Sequence, residues 1–490
     1  MSNHAHLACH GAYVPPRRLP RAEMASLWGG PAVPGDRAVA GSDEDTLTMA
    51  VEAALDCLEA GPDASAIDAV FFASTTAPYV EKHAAATLAA VLGVRRDVFT
   101  ADITDTLRAG TSALRLAVEA VRSGSATNAL VVASDERLGE PDSISEQMLG
   151  DAAAAVVVSS AGPVRVRETA AVADEFIGPW RRADDRLVRS FQGKFETEYG
   201  CRRLLVEAAK AVLATAGLDQ DEVSRMILAA PDPRTARSAG AELGSESGEP
   251  HDELFMQMGY AGAAHPLVCL GAILERADAG ERLVLASYGE GADAFLFEVE
   301  DVPERPESWR GVAGSLARRF ETAGYGDYLR SRDLVTRLQT DVRASPVTYQ
   351  RDLSRELTLT GARCSACGLV QYPGGRVCDG CGAYRTLDDV PLGRKGRIFT
   401  NTLDHIDQNC YLTEPIPRAV IDLEGGGRIF LDVTDCRPDD VHPGLDVELT
   451  FRRIHGGGGY NNYYWKCRPD GDPNGPATQE TATSTVTRQA

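Results

Sequence analysis

A chain of 490 residues, 43% hydrophobic and 25% charged, is long enough for two or three packed cores. Its 71 acidic against 50 basic residues leave a net charge of −21, which argues against long-range attraction to nucleic acid but leaves room for a local basic patch. No apolar run reaches the ~18 residues of a membrane span, and the opening MSNHAHLACHGAYVPPRRLPR lacks the apolar core of a secretion signal, so a cytoplasmic protein is expected.

From about residue 5 to 300, short apolar runs alternate with helical patterns, which predicts a layered α/β domain. Val70–Ser74, Ala129–Ser134, Ala153–Ser159, Met226–Ala230, Leu283–Ser287 and Ala294–Val299 read as buried strands. Thr46–Glu59, Gly110–Ser123, Leu204–Ala216 and Leu267–Ala277 read as helices. Within 101–121, a polar β-tending run tightens at Ala109-Gly110. It then becomes a helix with Ala113, Leu114, Ala117, Val118 and Val121 on one face. Such a turn into a helix N-terminus suits a nucleophilic thiolate, because unpaired N–H groups and the helix dipole stabilise the anion. No cysteine stands there.

An internal echo runs through this region. Leu130–Ser134 leads to Gly150–Val158, and Leu283–Ser287 leads to Gly291–Val299, each a strand, a turn with Gly and Asp, and a second strand. Duplication is the preferred reading, with two halves sharing one core and a site at their interface. Residues 301–360 are expected to form a helical linker. Beyond 364 the chain becomes Gly-, Pro- and β-rich. Arg397–Leu403, Arg418–Leu423, Arg428–Thr434, Val447–Arg452 and Tyr463–Cys467 predict a small barrel of the OB type. The segments Gly425–Arg428 and His455–Tyr460 read as hairpin turns, and the tail 470–490 as disordered.

Cys364-x-x-Cys367 and Cys378-x-x-Cys381 have the spacing of two zinc knuckles. Four thiolates fill the coordination sphere of one Zn²⁺, so the metal is expected to be structural. The other cysteines, Cys9, Cys57, Cys201, Cys269, Cys410, Cys436 and Cys467, are scattered, which fits a reducing compartment.

Gly11–Pro15, Ala73–Tyr79, Leu107–Leu114, Ala133–Asp135, Gly262–Ala264 and Ala286–Asp293 together resemble the thiolase superfamily, in its β-ketoacyl synthase III and HMG-CoA synthase branch. The C-terminal part resembles the zinc-ribbon plus OB-fold domains that accompany acyl-CoA-processing relatives. The resemblance implies a duplicated five-layer αβαβα fold over 1–300, a zinc ribbon over 361–392 and an OB barrel over 393–469. It also implies a cysteine nucleophile, a histidine, an asparagine and, in HMG-CoA synthases, a glutamate. The matching positions here are Leu107, Ala229, Tyr260 and Thr75. Leucine forms no thioester and alanine moves no proton, so the superfamily's acyl-enzyme chemistry is expected to be absent.

Three functions follow from the resemblance as expectations. The first is a non-catalytic subunit supporting a separate thiolase-fold partner in an acyltransferase or thiolytic complex, although a homodimer is possible. The second is an acyl-CoA enzyme with replaced chemistry, with Tyr260 as acid or base and Arg108 as a contact for CoA. The third is an ordinary condensing enzyme. His265 is read as a capping or packing residue and Cys269 as a core thiol, while His83, beside Glu81 and Lys82, resembles a substrate-tunnel or dimer-contact segment of the family.

Overall fold

The computed structural model describes residues 4–191, 193–245, 251–321, 324–335, 346–405 and 415–471. The tail beyond Gly471 and Cys410 lie outside the described residues.

The principal elements of the first domain are β1 (Ala5–Tyr13), α1 (Thr46–Glu59), β2 (Ala69–Ala73), β3 (Phe99–Ile103) and α2 (Ala109–Ser123). They continue with β4 (Asn128–Glu136), β5 (Asp151–Ser159), β6 (Val164–Ala173), α3 (Arg202–Ala216) and β7 (Arg225–Ala229). After these come α4 (His251–Met258), α5 (His265–Leu274), β8 (Arg282–Tyr288) and β9 (Gly291–Val299). The nine strands form one sheet in the order β3-β2-β4-β5-β1-β6-β9-β8-β7. Among the described residues, its two parts are joined as a sheet through the pairing of Ala5–Leu7 with Val164–Val166.

The expected duplication is present in the pairing pattern. β2 runs parallel to β4, which turns back antiparallel as β5, and β7, β8 and β9 repeat this arrangement. β1 and β6 occupy equivalent places, and β3 has no counterpart among the described residues. Helices α2 and α5 lie between the two parts, α1 covers the first and α3 the second, which gives five layers. The helix face predicted for α2 is buried as expected, with Ala113, Leu114, Ala117 and Val118 at 0% exposure. Gly110 is required there, because a Cβ would lie 2.3 Å from the Ala263 carbonyl oxygen.

Helix α1 starts where the chemistry of its cap dictates. Asp45 accepts from the Leu47 and Thr48 amides at 3.0 Å each, and the Asp45 amide donates to the Thr48 hydroxyl at 2.8 Å. The apolar residues of α1 share one core with the C-terminal barrel, from Met49 and Ala53 to Phe451 and Trp465.

Between the domains lie α6 (Gly311–Ala317), α7 (Tyr325–Ser331) and α8 (Pro346–Thr358). A small sheet follows, β10 (Thr360–Cys364), β11 (Val370–Gln371) and β12 (Leu387–Pro391), and carries the four clustered cysteines. The barrel consists of β13 (Lys395–Asp404), β14 (Ile416–Leu423), β15 (Arg428–Asp432), β16 (Asp446–Gly457) and β17 (Tyr460–Pro469). Their order is β15-β14-β13-β16-β17, and a parallel bridge between Val433 and Cys467 closes the ring. All five expected barrel strands are observed, and the two glycine-rich runs are their hairpin turns.

Ion pairs fasten the barrel to the first domain. Arg452 lies 2.8 Å from Glu44, Lys466 lies 2.9 Å from Asp43, and Arg468 lies 2.6 Å from Glu52, while Asp435 of the barrel itself also pairs with Arg452 at 2.6 Å. Burial alone would raise the Asp43 carboxyl, but Lys466 and Arg452 outweigh it and hold the group well below the usual range. Asp43 and Glu44 therefore dock basic residues of β16 and β17, and Asp45 accepts from the Tyr463 hydroxyl of β17.

Candidate functional site

A cavity of about 710 Å³ opens where the ends of β2 and β4, the turn after β3 and the segment 179–186 meet Arg453 and Asn461 of the barrel. Its size suits a small-molecule ligand. Thr75 and Leu107 both line it.

Thr75 is held by the last buried residue of β4. The Asp135 carboxylate accepts from the Thr75 amide at 2.7 Å, the Thr75 hydroxyl at 2.9 Å, the Ser74 hydroxyl at 3.0 Å and the Thr76 hydroxyl at 2.9 Å. The Ala263 amide adds a fifth bond at 2.7 Å from the lead-in to α5. Gly262 has φ +55°, and a Cβ there would sit 2.2 Å from Asp135 Oδ2 and 2.7 Å from Arg137 Cδ. Glycine is the residue that permits this approach. Asp135 thus ties the two parts of the domain together at the cavity wall, and its acceptor capacity is filled.

Leu107 sits at the turn into α2 and is 6% exposed. It shares a small apolar cluster with Leu149, Phe255 and Tyr260. Where a thiolate would need polar donors and a base, a branched hydrocarbon is packed against other side chains. Among the described residues, no cysteine and no histidine lines the cavity.

The structure does not gather the remaining expected positions at the cavity. Ala229 is buried at the end of β7, and Tyr260 stands behind Leu107 without lining the space. Burial pushes the Tyr260 phenol up, so it is neutral at ordinary pH. Arg108 caps α2 and turns to the second half, lying 3.3 Å from Asp293 and donating to the Val172 carbonyl at 3.3 Å. It therefore ties the turn into α2 to the second half of the domain. His83 precedes the helix at Ala84–Val91, with Nε2 3.5 Å from Asp102.

His265 opens α5 and forms a 2.7 Å hydrogen bond with His251. Burial lowers both, His251 to about 4, so the pair is neutral. Cys269, one turn along, completes a trio whose ligand atoms lie within 4.8 Å of one another. The 2.7 Å contact is shorter than the ~3.3 Å nitrogen–nitrogen edge of a tetrahedral zinc site, so it describes a hydrogen bond.

Several residues of the cavity carried no signal in the sequence. Arg137, Arg181, Arg182, Arg186 and Arg453 line it, as do Asp45, Asp105, Glu136, Asp185 and Glu290. Burial pushes Glu136 up to about 7 against the pull of Arg332, 3.6 Å away. A carboxyl poised near neutrality can accept or donate a proton. Glu136 and Arg137 directly follow the recognisable Ala133-Ser-Asp135 run, which was the one available pointer to them.

The cysteine quartet has the geometry that a zinc ribbon needs. Cys364 and Cys381 sulfurs are 3.8 Å apart and Cys367 and Cys378 sulfurs 3.5 Å, and all four lie within 4.8 Å of one another. Zinc–sulfur bonds of ~2.3 Å give tetrahedral edges of ~3.8 Å, so the four residues fit one Zn²⁺.

Comparison with known proteins agrees with this architecture. Residues 101–174 match the 3-oxoacyl-[acyl-carrier-protein] synthase III family, and residues 389–452 match the C-terminal OB-fold domain of ChsH2. The hydroxymethylglutaryl-CoA synthase of Thermococcus gammatolerans is 30% identical over 337 residues, spanning 66% of this chain and 94% of its own. That of Methanocella arvoryzae is 28% identical over 333 residues, 66% of this chain and 95% of its own. Among solved structures, an HMG-CoA synthase complexed with CoA has a TM-score of 0.62 at 18% identity, covering 70% of this chain and 94% of its own. MvaS in complex with 3-hydroxy-3-methylglutaryl coenzyme A has a TM-score of 0.60 at 21% identity, covering 71% and 96%.

Proposed function

The chain belongs to the hydroxymethylglutaryl-CoA synthase family, with a ChsH2-type OB-fold domain following the thiolase-like one, and from that premise we propose that it is a non-catalytic member. In this reading it handles acyl-CoA and supports a separate, cysteine-bearing thiolase that transfers an acyl group or cleaves a β-ketoacyl thioester. The observation that carries the reading is Leu107, an inert side chain packed at the turn where a nucleophile would stand. The place for a partner is supported by β3. It is the outer strand of the sheet, Phe99 on it is 62% exposed, and it leads directly to the Leu107 turn. Co-expression with the thiolase encoded beside it, followed by sizing and a thiolysis assay, tests the proposal. One complex with activity dependent on this chain is expected. A thiolase that is fully active and runs separately would refute it.

A second reading is favoured by Glu136, which lines the cavity with a carboxyl held at about 7 by burial. An enzyme with replaced chemistry would use it as a base for retro-aldol cleavage or decarboxylation. Turnover by the chain alone, lost in Glu136→Gln, would favour this reading.

A further inference from the structure

The segment between the two domains does more than join them. Helix α7 packs Tyr325 and Tyr328 against Leu19, Met24 and Val39 of the first domain. The Tyr325 hydroxyl donates to the Glu146 carboxylate at 2.8 Å, and the Arg37 guanidinium lies 4.9 Å from the centre of the Tyr328 ring. Directly after this anchored helix comes Arg332, a buried residue.

Arg332 holds Glu136 at two points. Its Nη2 donates to the Glu136 main-chain carbonyl at 3.3 Å, and its Nη1 lies 3.6 Å from the Glu136 carboxylate. The same Nη1 donates to the fully buried Asp151 at 2.9 Å. The Glu136 amide donates to the Thr76 hydroxyl at 2.9 Å, so the main chain of Glu136 is pinned on both sides. The end of the helix acts a second time. Asp333, with φ +51°, turns the chain out of the helix, and the carbonyls of Arg332 and Asp333 accept from Arg186 at 2.6 and 2.7 Å. Carbonyls at a helix C-terminus lack partners within the helix, and here an arginine supplies them. Glu136 and Arg186 both line the 710 Å³ cavity.

We propose that Arg332 is a positioning residue, which fixes the Glu136 carboxyl at the cavity wall from outside the thiolase-like domain and holds Arg186 at the same wall through the end of α7. This rests on the second reading, in which Glu136 is the base, and it names the group that controls that base. The charged groups facing Glu136 come from five elements: Arg332 after α7, Asp151 on β5, Asp45 at the cap of α1, Arg453 on β16 and Arg181 in the segment 179–186. Burial raises the carboxyl most, Arg332 opposes it most strongly, and Asp151 and Asp45 add to the rise. Removing Arg332 takes away the main opposing charge and deprives Asp151 of its 2.9 Å partner. Both changes push the proton affinity of Glu136 further up.

The test is infrared titration of the full-length, zinc-loaded chain, following the protonated-carboxyl band that Glu136→Gln removes. In the wild-type chain this band should fade through about pH 7. Arg332→Gln should raise the midpoint by about one pH unit or more, a roughly tenfold gain in proton affinity. Arg332→Lys keeps a cation beside Asp151 but loses the fork that serves both carboxyls, so its midpoint should rise by less. An unmoved midpoint in both variants overturns the proposal, and if Arg332→Gln does not fold, an unmoved midpoint in Arg332→Lys does so alone. A wild-type chain with no Glu136-dependent band near neutral pH overturns it without any Arg332 variant. Turnover assays judge the base reading separately. A chain that turns nothing over, yet shows the expected midpoint shifts, loses that reading and keeps the positioning role.

Discussion

The Tyr463 hydroxyl donates a 2.7 Å hydrogen bond to the Asp45 carboxylate, the same carboxylate that caps α1. One side chain therefore starts the helix that covers the first half of the sheet and fixes the last strand of the barrel. Asp45 also lines the cavity, so the barrel is part of the site's wall.

Replacing that carboxylate should cost stability twice over. Asp45→Ala removes a helix cap and leaves a buried tyrosine hydroxyl without an acceptor, for a total of about 2–4 kcal/mol. Asp45→Asn keeps one oxygen for the helix amides and turns an NH2 toward the Tyr463 hydroxyl, which can rotate to accept from it, so this variant should lose less. Urea denaturation of the two variants measures this, and equal losses would contradict the dual role.

A pH dependence follows from Glu196, whose carboxyl burial raises from 4.5 to about 7. The folded state holds this proton more tightly than the unfolded chain does. The group's contribution is therefore fully present below about pH 4.5 and lost as pH rises through about 7. Glu196→Gln should flatten that part of the profile. The difference between pH 5 and pH 8 should shrink by about 3 kcal/mol at most. Denaturation midpoints at the two pH values provide the check, and an unchanged difference would remove the buried carboxyl as the cause.

The cysteine quartet predicts one Zn²⁺ per chain, held by Cys364, Cys367, Cys378 and Cys381. Cys378→Ser should lose the metal and open the small sheet of β10 to β12, while the nine-stranded sheet survives, because its core is built from other residues. Elemental analysis of the purified chain checks the stoichiometry. A protein with well under one zinc and an intact C-terminal half would contradict the assignment.

Local pattern made much of this fold legible. Helix α1 has the bounds read from its 3.6-residue periodicity, and the five barrel strands fall where alternation and turn residues put them. The hairpins β4–β5 and β8–β9 were visible as a repeat because both copies are continuous apolar runs, as strands buried on both faces must be. Edge strand β3 was less clear, since Thr100 and Asp102 interrupt its apolar residues and none of its five residues is buried. At the site, Thr75 and Leu107 were found because they lie in recognisable local runs. The lining by Arg453 and Asn461 was not, because a contact across about 380 residues leaves no local trace. For the same reason nothing in the sequence marks Asp43 and Glu44 as buried, although their basic partners sit on the barrel.

The non-catalytic reading requires that Leu107 leave this chain without an acyl-enzyme step. Intact-mass and peptide-level mass spectrometry of the zinc-loaded, full-length chain after incubation with acetyl-CoA tests it most directly. The predicted result is an unmodified protein at every time point, with acetyl-CoA recoverable intact. An acetyl adduct on any residue of the 101–115 segment would show that the turn into α2 carries a working nucleophile, and the non-catalytic reading would be wrong.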